Sequence, residues 1–192
     1  MSAPSLAFAL LAVCCSTAQA QEHTSPALPP CSISAADTSG WNDVGSTVGS
    51  IRMKVPTDVK PDSVAGDSST GLVIRHQTWV GQTSHLFVNV TWTRVPAIPG
   101  AQSVRIASPS QEVDLCRASI GQFETTIETR RILVPSRADR DSAAFYITRA
   151  TFTLGPNEEV EVDGMTQTEA DHQRLLAIIA SVQIGNDSTV HH

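Results

Sequence analysis

A repeated alternation of apolar and polar side chains through the middle of the chain constrains its fold more than any other feature. In residues 86–93, the apolar side chains of Leu86, Val88, Val90 and Trp92 are separated by single residues that face the opposite side. This period of two is typical of a half-buried β-strand. Similar strand patterns occur at residues 49–55, 72–79, 114–118, 123–134 and 144–154. The sequence therefore predicts a run of antiparallel strands joined by turns.

The pattern changes near the C-terminus, where the spacing becomes helical. Thr168 is followed by acidic residues in the first turn, which is a typical helix N-terminal signal. Apolar residues then recur at helical spacing at Leu175, Leu176, Ile178 and Ile179. The sequence predicts a helix over residues 168–180. We therefore predict a single α+β domain, in which an antiparallel β-sheet has a C-terminal helix packed on it.

The first twenty residues indicate where the protein works. Residues 1–20 contain no Asp, Glu, Lys or Arg, and an apolar run over residues 6–15 is followed by small residues ending at Ala20. This is the pattern of a secretory signal peptide cut after Ala20, and the run is shorter than the roughly 20 apolar residues that cross a bilayer. No later segment is apolar enough to act as a membrane anchor. We therefore expect a secreted or periplasmic protein.

A lipoprotein is the alternative interpretation of the same leader. Cys14 and Cys15 follow Val13, whereas lipidation signals favour a small residue directly before the cysteine. Soluble secretion is the favoured interpretation, and it removes Cys14 and Cys15 with the leader.

The remaining chain has the length of one domain. Residues 21–40 are rich in Pro, Ser and Ala and predict an extended arm before the fold. Residues 41–184 are predicted to form the α+β domain, and residues 185–192 a disordered tail. Within the domain, residues 61–71 carry many Asp, Ser and Gly and are interpreted as turns, and residues 97–112 as a loop with a short strand near residues 103–107.

Charge and composition exclude some classes of partner. The formal net charge is −6, with no acidic or basic block, which disfavours nucleic acid and anionic membranes as partners. Aromatic residues make up only 5% of the chain, so the core must be built mainly from Val, Ile, Leu and Ala.

Two cysteines remain once the leader is removed. Cys31 and Cys116 are most simply a disulfide in an oxidising compartment, and the bond would tie the arm to the middle of the domain. Two free thiols, one of them reactive, are the alternative.

Three segments together resemble a known family. The first is an early strand that ends in a proline turn, at residues 49–56, and the second is a strand pair that begins with a tryptophan, within residues 78–90. The third is a closing helix that runs into a short strand, at residues 175–184. This layout resembles the PsbP-like class of secreted bacterial domains, which includes Mog-type Ran-binding proteins. The resemblance covers roughly Trp41 to Ile184, and residues 97–112 depart from it as an insertion. It implies an α+β fold and a role as a binding or assembly module, and it supplies no catalytic residue.

Common catalytic motifs are not found in the sequence. There is no Gly-x-Ser-x-Gly nucleophile motif and no phosphate-binding loop. Ser46 and Ser50 lie near glycines at other spacings, and their segment is interpreted as a tight turn that leads into a strand.

Histidines offer the next candidates for chemistry. His76 and His85 lie within the predicted sheet, where a carboxylate such as Asp67 would complete a metal site if the strands brought them together. Their spacing matches no metal motif, and a histidine on a strand surface or loop is commoner, so we assign no metal. His172 is predicted to be solvated at the start of the helix. His191 and His192 are either native or a cloning remnant.

Acidic residues Glu158, Glu159, Glu161 and Asp163 partly alternate with valines. A bound cation is one interpretation. The favoured interpretation is a strand whose valines point inward and whose acidic side chains lie on the solvent-exposed face. The mixed-charge residues 137–141 are likewise interpreted as a solvated loop.

Three tryptophans, Trp41, Trp79 and Trp92, either line an apolar groove or carry the core. The core is favoured because aromatic residues are scarce. Asn89 and Asn186 fit the N-glycosylation pattern, but Asn89 falls in the middle of a predicted strand.

These observations favour a non-catalytic extracytoplasmic binding or assembly module. Its partner would be another protein or a small apolar ligand held between sheet and helix. The alternatives are an extracytoplasmic hydrolase using His76 or His85 with a carboxylate, and a purely structural envelope protein. No catalytic residue, cofactor or ligand-binding residue is assigned from the sequence.

Overall fold

Ten β-strands and one α-helix make up the described part of the computed structural model, residues 27–33, 37–69, 71–96, 112–134 and 143–185. In chain order they are β1 (Asn42–Gly45), β2 (Ile51–Val55), β3 (Val59–Ser69), β4 (Leu72–Gly81), β5 (Phe87–Arg94), β6 (Glu112–Ile120), β7 (Phe123–Val134), β8 (Ala143–Gly155), β9 (Glu158–Thr166), α1 (Glu169–Ala180) and β10 (Gln183–Ile184).

The strands form two antiparallel sheets. Seven of them pair in the order β3-β4-β5-β9-β8-β7-β6, and the other three pair in the order β1-β2-β10. Helix α1 packs against β8 and β9 of the large sheet and also against β2 of the small one. One hydrophobic core therefore lies between the inner face of the large sheet and a layer made of α1 and the small sheet.

The alternation in residues 86–93 correctly predicts the inner and outer faces of β5. Val88, Val90 and Trp92 are buried, and Val90 lies opposite Val162 of β9. Asn89 and Thr91 face the other side. Burial of every second side chain fixes the register, because a slip by one residue would turn the apolar set to the outer face.

The predicted α+β fold with one helix-packed sheet is wrong. Ten of the eleven described elements are strands, they form two antiparallel sheets, and α1 is a single short helix. The missed sheet depends on long-range pairing: Gln183 lies opposite Arg52 and Ile184 opposite Ile51. Such a two-residue strand has no periodicity of its own, so it leaves little local signal.

The interpretation of residues 61–71 as turns is also wrong for most of that stretch. Strand β3 runs through it and pairs with β4, with a bulge between Pro61 and Ser63. It is an edge strand whose side chains are exposed after Val59. Backbone pairing on one side is enough to form it, so small polar residues replace the expected alternation.

The predicted helix is confirmed within one residue of its start. The Thr168 hydroxyl accepts a hydrogen bond from the Asp171 backbone N–H at 3.1 Å, which caps the N-terminus. Leu175, Ile178 and Ile179 are buried on the face toward the sheet.

A buried glutamine joins the β1–β2 turn to the large sheet. Gln77 of β4 accepts hydrogen bonds at its Oε1 from the Ser46 hydroxyl at 3.1 Å and the Thr47 backbone N–H at 2.9 Å. The Ser46–Ser50 segment is thus the predicted turn into β2.

Candidate functional site

A surface groove of about 570 Å³ lies where the N-terminal arm, the β6–β7 turn and the C-terminal end of α1 meet. Its lining combines apolar, small and polar side chains from Ile33, Thr38, Lys54, Ser119, Ile120, Gly121, Ala177, Ala180, Ser181, Val182 and Gln183. A smaller recess of about 260 Å³ shares Ile120, Gly121, Val182 and Gln183 with it. We call the larger cavity the groove.

Short side chains leave the space that the groove occupies. Ala177, Ala180 and Ser181 place no bulk at the end of α1. On the opposite wall, Gly121 begins the two-residue β6–β7 turn with a φ of 59°, a left-handed conformation that favours glycine. Ile120 is only 4% exposed and forms part of an apolar wall.

The arm is fixed to the outer edge of β6, which places Ile33 at the groove. The predicted disulfide between Cys31 and Cys116 is confirmed. The Cys31 backbone N–H donates to the Arg117 carbonyl at 2.8 Å, and the Arg117 N–H donates to the Pro29 carbonyl at 2.8 Å. A covalent bond and two backbone hydrogen bonds thus hold this wall.

The end of α1 is joined to β2 through Ser181. The Lys54 backbone N–H donates to the Ser181 Oγ at 2.8 Å, and that hydroxyl donates to the Ile178 carbonyl at 2.7 Å. The Ser181 backbone N–H also meets the carbonyls of Ala177 and Ile178 at 3.1 and 3.0 Å. These bonds satisfy carbonyls of the last helical turn and fix Lys54 beside the groove.

Among the described residues that line the groove, Lys54 is the one that carries a charge. Its side chain is exposed, because β2 alternates and buries Ile51, Met53 and Val55 on the opposite side. Within the described part of the chain, no carboxylate lies within 4.0 Å of its ammonium group. The groove therefore offers an apolar wall and one unpaired positive charge, an arrangement suited to a ligand with an apolar body and a negative end.

The sequence did not indicate Lys54, Gly121 or Ser181 as site residues. Small residues at the end of a helix were the available signal, but they become a cavity wall only once the arm and the turn are placed against them.

His76 and His85 are not brought together. His76 lies on β4 opposite Thr91, whereas His85 precedes β5, six residues before Thr91. Roughly 15–20 Å of extended chain separates the two histidines along the strand direction. Asp67 lies opposite Ile74. Among the residues that the structure describes, no group of three or more His, Cys, Asp or Glu is placed to hold a metal ion.

His172 is buried, and the prediction that it is solvated is wrong. It is only 8% exposed and stacks on Tyr146, with ring centroids 4.7 Å apart. Its Nδ1 lies 3.8 Å from a Glu169 carboxylate oxygen, which is too long for a hydrogen bond. Burial lowers the pKa of His172 from its ordinary value, and the nearby Glu169 carboxylate opposes this only in part.

Protonation of His172 is expected to destabilise the folded protein. A base whose pKa is lower in the folded state favours the unfolded state when protonated. The free energy of unfolding should therefore fall as the pH drops below the ordinary histidine value of about 6.5, until the lower folded-state pKa is passed. His172→Phe keeps an aromatic ring against Tyr146 and removes the titration. Urea unfolding from about pH 7.5 to about pH 5 should show a shallower decline in this variant. Equal declines in both proteins would contradict the prediction.

The four acidic residues between positions 158 and 163 lie on β9. The valines between them point inward, as predicted. Val160 and Val162 are fully buried. Asp163, on the outer face, accepts a hydrogen bond from the Asn89 side chain at 3.0 Å, and burial raises its pKa despite that bond. Asn89, part of a predicted glycosylation pattern, also donates to the Thr91 hydroxyl at 2.9 Å.

The tryptophans belong to the core, as the favoured interpretation predicted. Trp79 and Trp92 are buried, and Trp41 packs against the same cluster. The Trp92 indole N–H donates to the Glu158 carboxylate at 2.6 Å, and the Arg94 guanidinium lies 5.1 Å from the ring centre.

Several predictions lie outside the described residues. They concern the leader, the lipidation of Cys14 or Cys15, the loop at 137–141, the strand at 103–107, Asn186, and His191 and His192 in the tail. In the described part of the chain, the single helix is too short to cross a bilayer.

Comparisons with known proteins complete the description of the site. No protein-family model matches the chain, and no curated protein matches it. It is similar to a crystal structure from Bacteroides thetaiotaomicron VPI-5482, with 11% sequence identity and a TM-score of 0.39. The similar region covers 71% of this chain and 46% of that one, so this chain matches less than half of the longer protein. These comparisons assign no family, and the resemblance to PsbP-like domains stays a prediction.

Proposed function

We propose that this chain is a secreted or periplasmic, non-catalytic binding module that holds a small molecule in the groove. The observation that carries the proposal is the cavity of about 570 Å³ between the β6–β7 turn and the end of α1. Small-molecule sites typically occupy about 300–1,000 Å³ and combine mainly apolar walls with a few placed polar groups. The Cys31–Cys116 disulfide supports the extracytoplasmic part, because such bonds persist in oxidising compartments.

The way in which the groove walls are held also supports a binding role. The arm wall is fixed by a disulfide, the helix wall by the Ser181 hydrogen bonds and the third wall by a hairpin turn. Walls fixed before binding reduce the ordering cost of association.

The test is native mass spectrometry of protein purified from its own secretory compartment. Ala180 is exposed and lines the groove, whereas Ala170 is exposed at the other end of the same helix and does not line it. Ala180→Trp should fill the groove, and Ala170→Trp is the matched control.

Wild-type protein and the Ala170→Trp variant should carry a non-covalent mass that disappears on denaturation, and the Ala180→Trp variant should lack it. A bound mass that survives in Ala180→Trp, or the absence of any bound mass in the wild type, would overturn the proposal. The denatured mass also tests cleavage after Ala20, because an intact leader or an added lipid would contradict soluble secretion.

A further inference from the structure

We infer that the ligand of the groove is an amphipathic carboxylate, with its acid group paired with Lys54 and its apolar body against Ile33, Ile120 and Val182. This inference rests on the proposed function and names the chemical class that the groove accepts. It begins from the charge at the site: the described residues that line the groove include one lysine and no aspartate or glutamate.

The charge on Lys54 stands out against the rest of the chain. The protein has a formal net charge of −6, which by itself disfavours an anionic ligand. Within the described residues, the Lys54 ammonium has no carboxylate partner, so it is available to a ligand. A charge-assisted bond to a carboxylate is stronger than a bond between neutral groups, and a partly enclosed apolar site strengthens it further.

Two hydroxyl groups in the lining are already engaged. The Ser181 hydroxyl bonds with Lys54 and Ile178, and the Ser119 hydroxyl donates to the Glu124 carboxylate. Two helix carbonyls that would repel an anion, those of Ala177 and Ile178, accept hydrogen bonds from the Ser181 backbone N–H. Of the polar side chains that remain among the described lining residues, Thr38 and Gln183 are neutral and Lys54 is charged, so Lys54 is the strongest group for recognition of an anion.

The opposite end of the ligand would meet hydrocarbon. Ile120 and Val182 are almost fully buried, and Ile33 is half-buried against the same core. Ile120 and Val182 also line the adjoining recess of about 260 Å³, where Phe123 and Ile184 add further apolar surface. A molecule with one acid group and a hydrocarbon body would place the acid beside Lys54 and the hydrocarbon against the apolar wall.

Calorimetric titration of the full chain with decanoate, and with decanol as the neutral counterpart, tests the inference. Lys54→Met keeps the unbranched stem and removes the charge, Lys54→Arg restores it, and Lys60→Met removes an exposed lysine on β3 as the matched control. Wild type should bind decanoate more tightly than decanol. Lys54→Met should weaken decanoate binding about tenfold and leave decanol unchanged. Lys54→Arg and Lys60→Met should stay near wild type, with unchanged thermal midpoints in all variants.

The outcomes separate the inference from the proposed function. Equal affinity for decanoate and decanol, no decanoate binding to wild type, or no effect of Lys54→Met would overturn the carboxylate inference. The proposed function would still stand if the natural bound mass is lost in Ala180→Trp. Conversely, if the Ala180→Trp variant retains the bound mass, the ligand does not lie in the groove, and both proposals are overturned.

Discussion

Replacing Gly164 with alanine is expected to lower the free energy of unfolding by about 3 kcal/mol. Gly164 lies on the inner face of β9, under α1. A methyl group there would lie 2.4 Å from the Phe87 carbonyl oxygen and 2.7 Å from a Leu175 methyl carbon. The Phe87 carbonyl belongs to the paired strand β5, so the backbone cannot move away without loss of pairing. The substitution must therefore displace the helix or break the ladder.

Urea unfolding measures this effect, and Gly155 provides the control. Gly155 ends β8, and a methyl group added to it would meet no heavy atom within 4 Å. Gly155→Ala should change the free energy of unfolding by no more than about 0.5 kcal/mol. If Gly164→Ala unfolds like its control, the close contact between α1 and β9 is not as described.

Removal of the disulfide is expected to have the largest effect of all. Cys31 and Cys116 close a loop with a sequence separation of 85 residues. On the chain-entropy model, such a loop constrains the unfolded state by about 4–5 kcal/mol. Cys31→Ser combined with Cys116→Ser should lower the free energy of unfolding by about that amount, and decanoate binding should weaken because Ile33 is no longer held at the groove.

Reductant supplies the control for this pair. With dithiothreitol present, the free energy of unfolding of the wild type in urea should approach that of the double variant. The unfolding transition of the double variant itself should not change when the reductant is added. If the double variant is less stable than the wild type by under about 1 kcal/mol, the backbone hydrogen bonds of Cys31 and Arg117 are enough to hold the arm without the disulfide.

Local sequence patterns predicted the strands and the helix that have one buried apolar face and one exposed polar face. Strand β5 was recognisable because Val88, Val90 and Trp92 face the core while their neighbours do not. Helix α1 was recognisable from the Thr168 cap and its apolar stripe. Strand β3 was missed because it is exposed on both sides after Val59, and β1 was missed because it is short and depends on β2. The short strand after the helix was expected, but its pairing with β2 was not.

The candidate site was less predictable than the fold. Ile33, Lys54, Ile120 and Ala180 are far apart in sequence, and the groove exists only after the disulfide and the pairing of β10 with β2 bring them together. The burial of His172 is similar, because it depends on Tyr146 of β8. By contrast, the cysteine pair was predictable, since only two cysteines follow residue 20.

The attachment of the arm to β6 also bears on how the protein behaves before it is oxidised. An open strand edge is a template for pairing with other chains. One outer edge of the large sheet, β3, contains Pro61, a bulge and several charged side chains, all of which discourage such pairing. The other edge, β6, receives the arm at Arg117 instead. Newly made chains should therefore be most prone to aggregate while Cys31 and Cys116 are still reduced, and formation of the disulfide should end that vulnerable period.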